Sequence, residues 1–396
     1  MCSILGGTKF NKKALEIYNN AKSRGKDFSG LIEYKGNWIC NHRATPTNEI
    51  QYAESNQPFS YNGNIIVHNG TISNDKELGN KDGEIDSKII AKIVETESLE
   101  KFRDSLLKLK GSYAIGCITS KGEIFLACNY KPLFYKKHKG EYYFSSLKEH
   151  LGKCKRVKPY SCINLKTNEK LEIKRYQPNN ALIVCSGGLD STSLIGYALK
   201  NHNKVTLLHF DYGCKATTKE IEAIKKIAEK LKIPYIIQKL NYNSMQGESP
   251  LFKEEKITNG IDGVEYAIEW VYARNLIMLS NAVGYAEAND YGYVYLGNNL
   301  EESGAYPDNE EQFILDFNKV LWGAVNNGYK VEIKMPLGNL MKKEIVQFGI
   351  DNNSPIELSW SCYNNEKHHC GECAPCYMRK KAFERSSNID KTKYLK

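Results

Sequence analysis

The run Ser186-Gly187-Gly188-Leu189-Asp190-Ser191-Thr192 constrains this chain more than any other stretch. It follows the apolar segment Ala181-Leu182-Ile183-Val184-Cys185 and precedes Ser193-Leu194-Ile195-Gly196-Tyr197-Ala198-Leu199. The spacing predicts a strand over 181–185, a glycine turn, and a helix over 190–200. At such a turn the backbone N–H groups are exposed and the helix N-terminus carries partial positive charge, so phosphate is welcome there. Two glycines allow close backbone approach to it. The Walker string Gly-x-x-x-x-Gly-Lys-Ser/Thr is absent. The pattern continues with a strand over 205–210, a helix over 217–232 and a further strand from Tyr235, after Pro234. The helix places Ile221, Ile224, Ala228 and Leu231 on one face. Strand–helix alternation argues for a parallel sheet covered on both faces, with ligands at the carboxyl ends of its strands.

At 396 residues the chain is long enough for two domains. No apolar run approaches the roughly 18 residues of a membrane helix, and no secretory signal pattern opens the sequence. The cytoplasm is the expected location, with no membrane partner. The 12 cysteines do not form a secreted framework; four cluster near the C-terminus with metal-like spacing. Residues 1–177 hold 30 Lys and Arg against 19 Asp and Glu, whereas 178–396 hold 25 against 27. The half with the glycine turn is therefore not basic, which weakens a polynucleotide grip there. The basic stretch from Lys148 to Arg175 is read as a solvated surface.

Residues 1–177 carry short apolar runs, at 32–34, 38–40, 65–67, 113–115 and 124–126, separated by turn pairs such as Lys35-Gly36 and Asn62-Gly63. Helical periodicity covers 13–22 and 86–95. The mix predicts stacked sheets with flanking helices. Polar Thr167–Asn180, which holds Pro178, reads as a linker. That sets domains of 1–167 and 181–396, joined by 168–180. Cys2 follows the initiator; once Met1 is removed, it would offer a thiol and a free amine able to act as its own general base.

Ser-Gly-Gly-x-Asp-Ser resembles the PP-loop of ATP pyrophosphatases, which adenylate a substrate oxygen. The resemblance implies ATP with Mg²⁺, bound at Ser186, Gly187, Gly188, Leu189, Asp190, Ser191 and Thr192, on an α/β fold of the adenine nucleotide alpha hydrolase type. Met1-Cys2-Ser3-Ile4, Asn41-His42-Arg43-Ala44-Thr45, His68-Asn69-Gly70 and Ile85-Asp86-Ser87 together resemble class II glutamine amidotransferases over about 1–165. Lys131-Pro132-Leu133-Phe134-Tyr135 and Phe144-Ser145-Ser146 resemble later sheet segments of that family. An α+β sandwich of the Ntn type is implied. In this reading Cys2 attacks the glutamine amide, and Asn69 and Gly70 stabilise the oxyanion. Arg43 pairs with the α-carboxylate and Asp86 with the α-ammonium. His68 is read as structural.

Asp211-Tyr212-Gly213, Trp270-Val271-Tyr272-Ala273-Arg274-Asn275, Ser303-Gly304-Ala305-Tyr306-Pro307-Asp308, Lys342-Lys343-Glu344-Ile345 and Ser359-Trp360-Ser361-Cys362-Tyr363 resemble 7-cyano-7-deazaguanine synthases over nearly all of 178–385. The resemblance implies substrate contacts from Arg274, Asn275, Tyr306, Asp308 and Lys342, with Asp308 reading the guanine-like donor edge. Two stretches depart from the family: Cys214-Lys215-Ala216 replaces Gln-Arg-His, and Val271-Tyr272-Ala273 replaces Val-Pro-Gly. Cys362, Cys370, Cys373 and Cys376 suit a structural zinc. An iron–sulfur cluster is the chemical alternative, and His368 and His369 compete for ligand places.

The expectation is a fused amidotransferase that delivers ammonia from glutamine to a 7-deazaguanine base or nucleoside. The product is left open among amide, nitrile and archaeosine-type formamidine. A tRNA or DNA acceptor and a homodimer are both compatible with the sequence. The alternatives are an asparagine-synthetase-like ligase and a non-catalytic nucleic-acid-binding derivative. The intact Cys2, Asn69-Gly70 and Ser186–Ser191 weigh against decay of the sites.

Overall fold

The structure, a computed structural model, describes residues 2–45, 55–257 and 269–395. Met1, on whose removal the free amine of Cys2 depends, lies outside the described residues. The chain divides into two compact units, Met1–Tyr176 and Gln177–Lys396.

In the first unit twelve strands are described: β1 (Ser3–Gly7), β2 (Phe28–Tyr34), β3 (Asn37–Arg43), β4 (Phe59–Tyr61), β5 (Asn64–Ile72), β6 (Gly111–Ile118), β7 (Ile124–Cys128), β8 (Phe134–His138), β9 (Glu141–Ser145), β10 (Lys155–Arg156), β11 (Ser161–Asn164) and β12 (Lys170–Glu172). Three helices join them, α1 (Lys12–Ala21), α2 (Ser87–Ile93) and α3 (Leu99–Leu106). The strands form two sheets, ordered β10-β8-β9-β1-β3-β2 and β12-β11-β7-β6-β5-β4. Alternation along each strand decides the layering, because successive side chains leave opposite faces. Ile4, Ile39 and Phe144 of one sheet share a core with Val67, Ala114 and Leu126 of the other. The intervening Leu5, Trp38 and Tyr143 pack under α1. Ile66, Ile115 and Phe125 pack under α2 and α3. The result is helix, sheet, sheet, helix.

The expected strand runs all fall within strands, and the two helical periods fall on α1 and α2. The expected linker needs correction. Lys170–Glu172 is the edge strand β12, pairing with β11 in the register Cys162↔Leu171. Ile173 is buried with Leu171 against the α2–α3 core, while Lys170, Glu172 and Lys174 are exposed. Two apolar residues among charged ones suffice for a short edge strand, and the charges hid it.

The second unit has one parallel sheet, built from β13 (Asn180–Val184), β14 (Lys204–Asp211), β15 (Tyr235–Lys239), β16 (Tyr293–Tyr295) and β17 (Glu332–Lys334), in the order β15-β14-β13-β16-β17. Helices α4 (Leu189–Asn201), α5 (Thr217–Leu231), α6 (Arg274–Ala288), α7 (Leu300–Ser303), α8 (Glu311–Ala324), α9 (Lys342–Asp351) and α10 (Ala374–Arg385) complete it. Leu182, Leu208 and Val294 face α6 and α8, while Ala181, Ile183 and Leu207 face α4, α5 and α9. The chain runs outward from central β13 in both directions, so the crevice beside it is a topological switch point. On α5 the buried face centres on Ala223, Ile224, Ile227 and Ala228; Ile221 and Leu231 flank it, half-buried. No helix among the described residues is long and apolar enough to cross a membrane.

Candidate active sites

In the first unit, β1 pairs antiparallel with β3 in the register Ser3↔His42. That register sets Cys2 opposite Arg43. Both residues follow the parity of Ile4 and Ile39, which point between the sheets. Cys2 is half-buried and its thiol reaches Ala44 O at 3.9 Å. Arg43 is buried, and its Nη1 donates to Asn56 Oδ1 at 3.1 Å. Asn69 lies on β5 two residues past Val67, so it also takes the inter-sheet face. A Cβ at Gly70 would stand 1.9 Å from Ser112 O, so only glycine fits there. Asp86 precedes α2, and its Oδ2 accepts from Ile72 N, at the end of β5, at 2.6 Å. Ser87 Oγ donates to its Oδ1 at 3.3 Å. Asp86 therefore ties α2 to β5 in addition to any ligand role. His68 is buried between Ser87 Oγ at 2.8 Å and Ser112 O at 3.2 Å, and burial holds its imidazole below the ordinary range. That matches the structural reading of His68. Sequence reasoning missed Asn41, which shares the inter-sheet face. It is fully buried, with neither amide atom partnered.

In the second unit, a cavity of about 220 Å³ opens at the carboxyl ends of β13, β14 and β16. Ser186, Gly188, Leu189, Asp190 and Ser191 line it. Gly187 is left-handed at φ +79°, and a Cβ there would meet Glu220 O at 2.9 Å. Helix α4 starts at Gly188 without a side-chain cap, so its first-turn N–H groups suit a ligand's oxygens. Gly187 and Thr192 are not among the lining residues: Gly187 O accepts from Trp360 N at 2.7 Å, and the Thr192 hydroxyl is buried without a partner.

Asp190 carries the loop's charge. Its Oδ2 accepts from Lys342 Nζ at 2.8 Å and from Asn299 Nδ2 at 3.1 Å. Lys342 also pairs with Glu302. Burial opposes the Lys342 charge, but the two carboxylates outweigh it and hold the ammonium well above its ordinary range. Burial pushes the Asp190 carboxyl up against the pull of Lys342. Asp190 Oδ1 is buried and unpartnered, and Asp190 lines the cavity.

Arg274, Asn275 and Lys342 line the cavity; Tyr306 and Asp308 do not. Tyr306 stacks on Trp270 with centroids 6.2 Å apart and donates to Glu269 at 3.3 Å. Burial raises the Asp308 carboxyl, while Arg274 and the Asn275 N–H pull it down. The cavity-lining neighbour is Asn309, which accepts from Asn275 Nδ2 at 3.0 Å. Glu302, His209, Glu220 and Asn299 were not found from sequence. No local spacing links them to the loop.

The four cysteines are buried, with all sulfurs within 4.8 Å of one another. The Cys362–Cys373 and Cys370–Cys376 sulfurs are each 3.9 Å apart. Bonds of about 2.3 Å in a tetrahedron require sulfurs about 3.8 Å apart, so the cage fits a metal. Backbone N–H groups of Asn364, Cys370, Glu372 and Cys373 donate to these sulfurs at 3.3–3.4 Å, which stabilises thiolates and fixes their orientation. His369 is otherwise employed: its Nε2 accepts from Ser361 N at 3.0 Å and its ring lies 4.2 Å from Trp360.

Stacked sheets with Cys2 just before β1, followed by a parallel sheet with a glycine loop at its switch point, make up the two units of the chain. The glutamine amidotransferase domain model matches residues 42–153, and the model of queuosine biosynthesis protein QueC matches 180–387. 7-Cyano-7-deazaguanine synthase 2 of Sulfurisphaera tokodaii is 36% identical over 460 aligned residues, covering 100% of both chains. The synthase of Sulfolobus acidocaldarius is 35% identical over 462, again with full coverage of both. That of Methanocaldococcus jannaschii is 39% identical over 233, covering 54% of this chain and 99% of its own. The chain belongs to the 7-cyano-7-deazaguanine synthase family, in the form that carries an N-terminal glutamine amidotransferase domain.

Proposed function

We propose that the chain makes a 7-cyano-7-deazaguanine from its 7-carboxy precursor, with glutamine as nitrogen donor. In the first unit, an amidotransferase domain of Ntn type, Cys2 attacks the glutamine side-chain amide. The Asn69 amide and the Gly70 N–H meet the oxyanion, Arg43 the α-carboxylate and Asp86 the α-ammonium. Water then hydrolyses the thioester, and the ammonia passes to the second unit.

There the loop from Ser186 to Ser191 holds the phosphates of ATP, which enters as a substrate with Mg²⁺. Lys342 fixes Asp190 and Glu302 beside them. The acceptor's carboxylate oxygen displaces pyrophosphate and becomes adenylated. Ammonia adds to the activated carbon, AMP leaves and an amide remains. A second adenylation, now on the amide oxygen, lets that oxygen depart with AMP and leaves the nitrile. Arg274 and Asn275 orient the base. Cys362, Cys370, Cys373 and Cys376 would hold a structural zinc, since four protein ligands leave no open coordination position.

The observation that carries this reading is one cavity joining the glycine loop, the Asp190–Lys342–Glu302 cluster and Arg274–Asn275 at the switch point of the sheet. The names of the full-length relatives support the nitrile as product. The test is stoichiometry with carboxy-deazaguanine offered as free base and within tRNA or DNA. Two AMP and two pyrophosphate per nitrile from the free base are expected. One AMP per product with an amide end point, or reaction only within polynucleotide, would overturn it.

A further inference from the structure

Amination of an adenylated carbon releases a proton, and the cavity needs a group to take it. Most acidic and basic groups around it are already committed. Asp190 is held by Lys342 and Asn299, and Glu302 by Lys342 and Asn309. Arg274 and Lys342 are cations without an acceptor atom. Burial lifts the Tyr212 phenol well above its ordinary range and pushes the Cys185 and Cys214 thiols up to about 11 and about 12.

Two lining residues differ. His209, near the end of β14, is buried; its Nδ1 lies 3.1 Å from Cys185 O. A carbonyl can only accept, so Nδ1 carries the hydrogen and Nε2 presents a lone pair. That Nε2 is buried and has no hydrogen-bond partner. It faces Glu220 Oε2 at 4.0 Å, from the first turn of α5. Glu220 packs its backbone on Gly187 of the loop and makes no ion pair with Lys or Arg among the described residues. Both side chains line the cavity.

We propose that Glu220, backed by His209, is the proton acceptor of the amination step. The proposal rests on the ligase reading of this cavity. The ammonia nitrogen forms the C–N bond, the C–O bond to AMP breaks with its electron pair on the phosphate oxygen, and the nitrogen's surplus proton passes to the Glu220 carboxylate. His209 Nε2 then shares it. Burial pushes Glu220 up to about 7, with Arg274 pulling down and Asp211 pushing up, and burial lowers His209 against the pull of its bond to Cys185 O. The other titratable groups facing the pair are Tyr212, Cys214 and Cys185. The carboxylate form therefore gains as pH rises through neutrality.

The test uses the full chain, ATP, carboxy-deazaguanine and ammonium, with variants Glu220→Gln and His209→Asn. Acceptor-dependent exchange of labelled pyrophosphate into ATP reports adenylation; single-turnover amide formation reports amination. For Glu220→Gln, amination should fall on the order of 10²-fold while exchange persists, and the rise of rate through neutral pH should vanish. For His209→Asn, the inflection should move. Amination at the wild-type rate with the wild-type pH profile would overturn the proposal. So would parallel loss of exchange, which would place the pair in nucleotide binding. Absence of acceptor-dependent exchange in the wild type would instead overturn the ligase reading, and the proposal with it.

Discussion

Lys342 decides the electrostatics of the second cavity. Only 8% of it is exposed, and it holds two carboxylates brought from distant parts of the chain. Replacing it with Met would strand Asp190 and Glu302 together in a buried site. The expected cost is about 3–5 kcal/mol of unfolding free energy, as for any broken buried pair. Urea denaturation checks it; a loss well under 1 kcal/mol would mean the three groups are better solvated than their burial implies. The glycine loop was legible in sequence because a strand, two glycines and a helix are local. Lys342 and Asp190 are 152 positions apart, and nothing in the spacing of either announces their bond. Glu302, His209 and Glu220 were hidden for the same reason. The motif names a loop but not which of its side chains reaches the cavity wall, and the turn at Pro307–Asn309 sets Asn309 there, with Asp308 beside it.

At the scale of elements, two departures from the family pattern have structural consequences. Helix α6 begins after Ala273, which sits left-handed at φ +50° where the family carries glycine. The methyl group crowds the backbone in that region, at a cost of about 1 kcal/mol. Ala273→Gly should therefore raise stability by about that amount, with Arg274 and Asn275 still in place. A fall in the denaturation midpoint would contradict the strain. Cys214 and Ala216, the second departure, are buried in one cluster with Tyr242 and the four clustered cysteines Cys362, Cys370, Cys373 and Cys376. The cage thus underpins the loop after β14. Cys373→Ser or chelation should lower the melting temperature of the second unit and change the fluorescence of Trp360; an unchanged melting profile would rule out a structural metal. Strands β13, β14 and β15 and helices α4 and α5 were readable to within one or two residues, since buried parallel strands are near-continuous apolar runs, whereas β16, β17 and the helices from α6 onward were not picked out. Edge strand β12 was not readable, because an edge needs only one apolar side.

At the scale of the whole molecule, the proposed function joins two chemistries that share one small product, ammonia. The basic excess lies in residues 1–177, and the half that holds the glycine-loop cavity is slightly acidic. Of the basic residues from Lys148 to Arg175, all but the half-buried Arg175 are exposed to solvent. Cys2→Ala should abolish glutamine-dependent product and leave ammonium-dependent product, because the thiol serves only the first reaction. The measurement that bears most directly on the account is mass spectrometry of the deazaguanine product formed from amide-labelled glutamine in unlabelled ammonium. Label in the product nitrile, lost in Cys2→Ala while unlabelled nitrile persists, is the predicted result. A nitrile whose nitrogen comes from ammonium alone in the wild-type chain would contradict it.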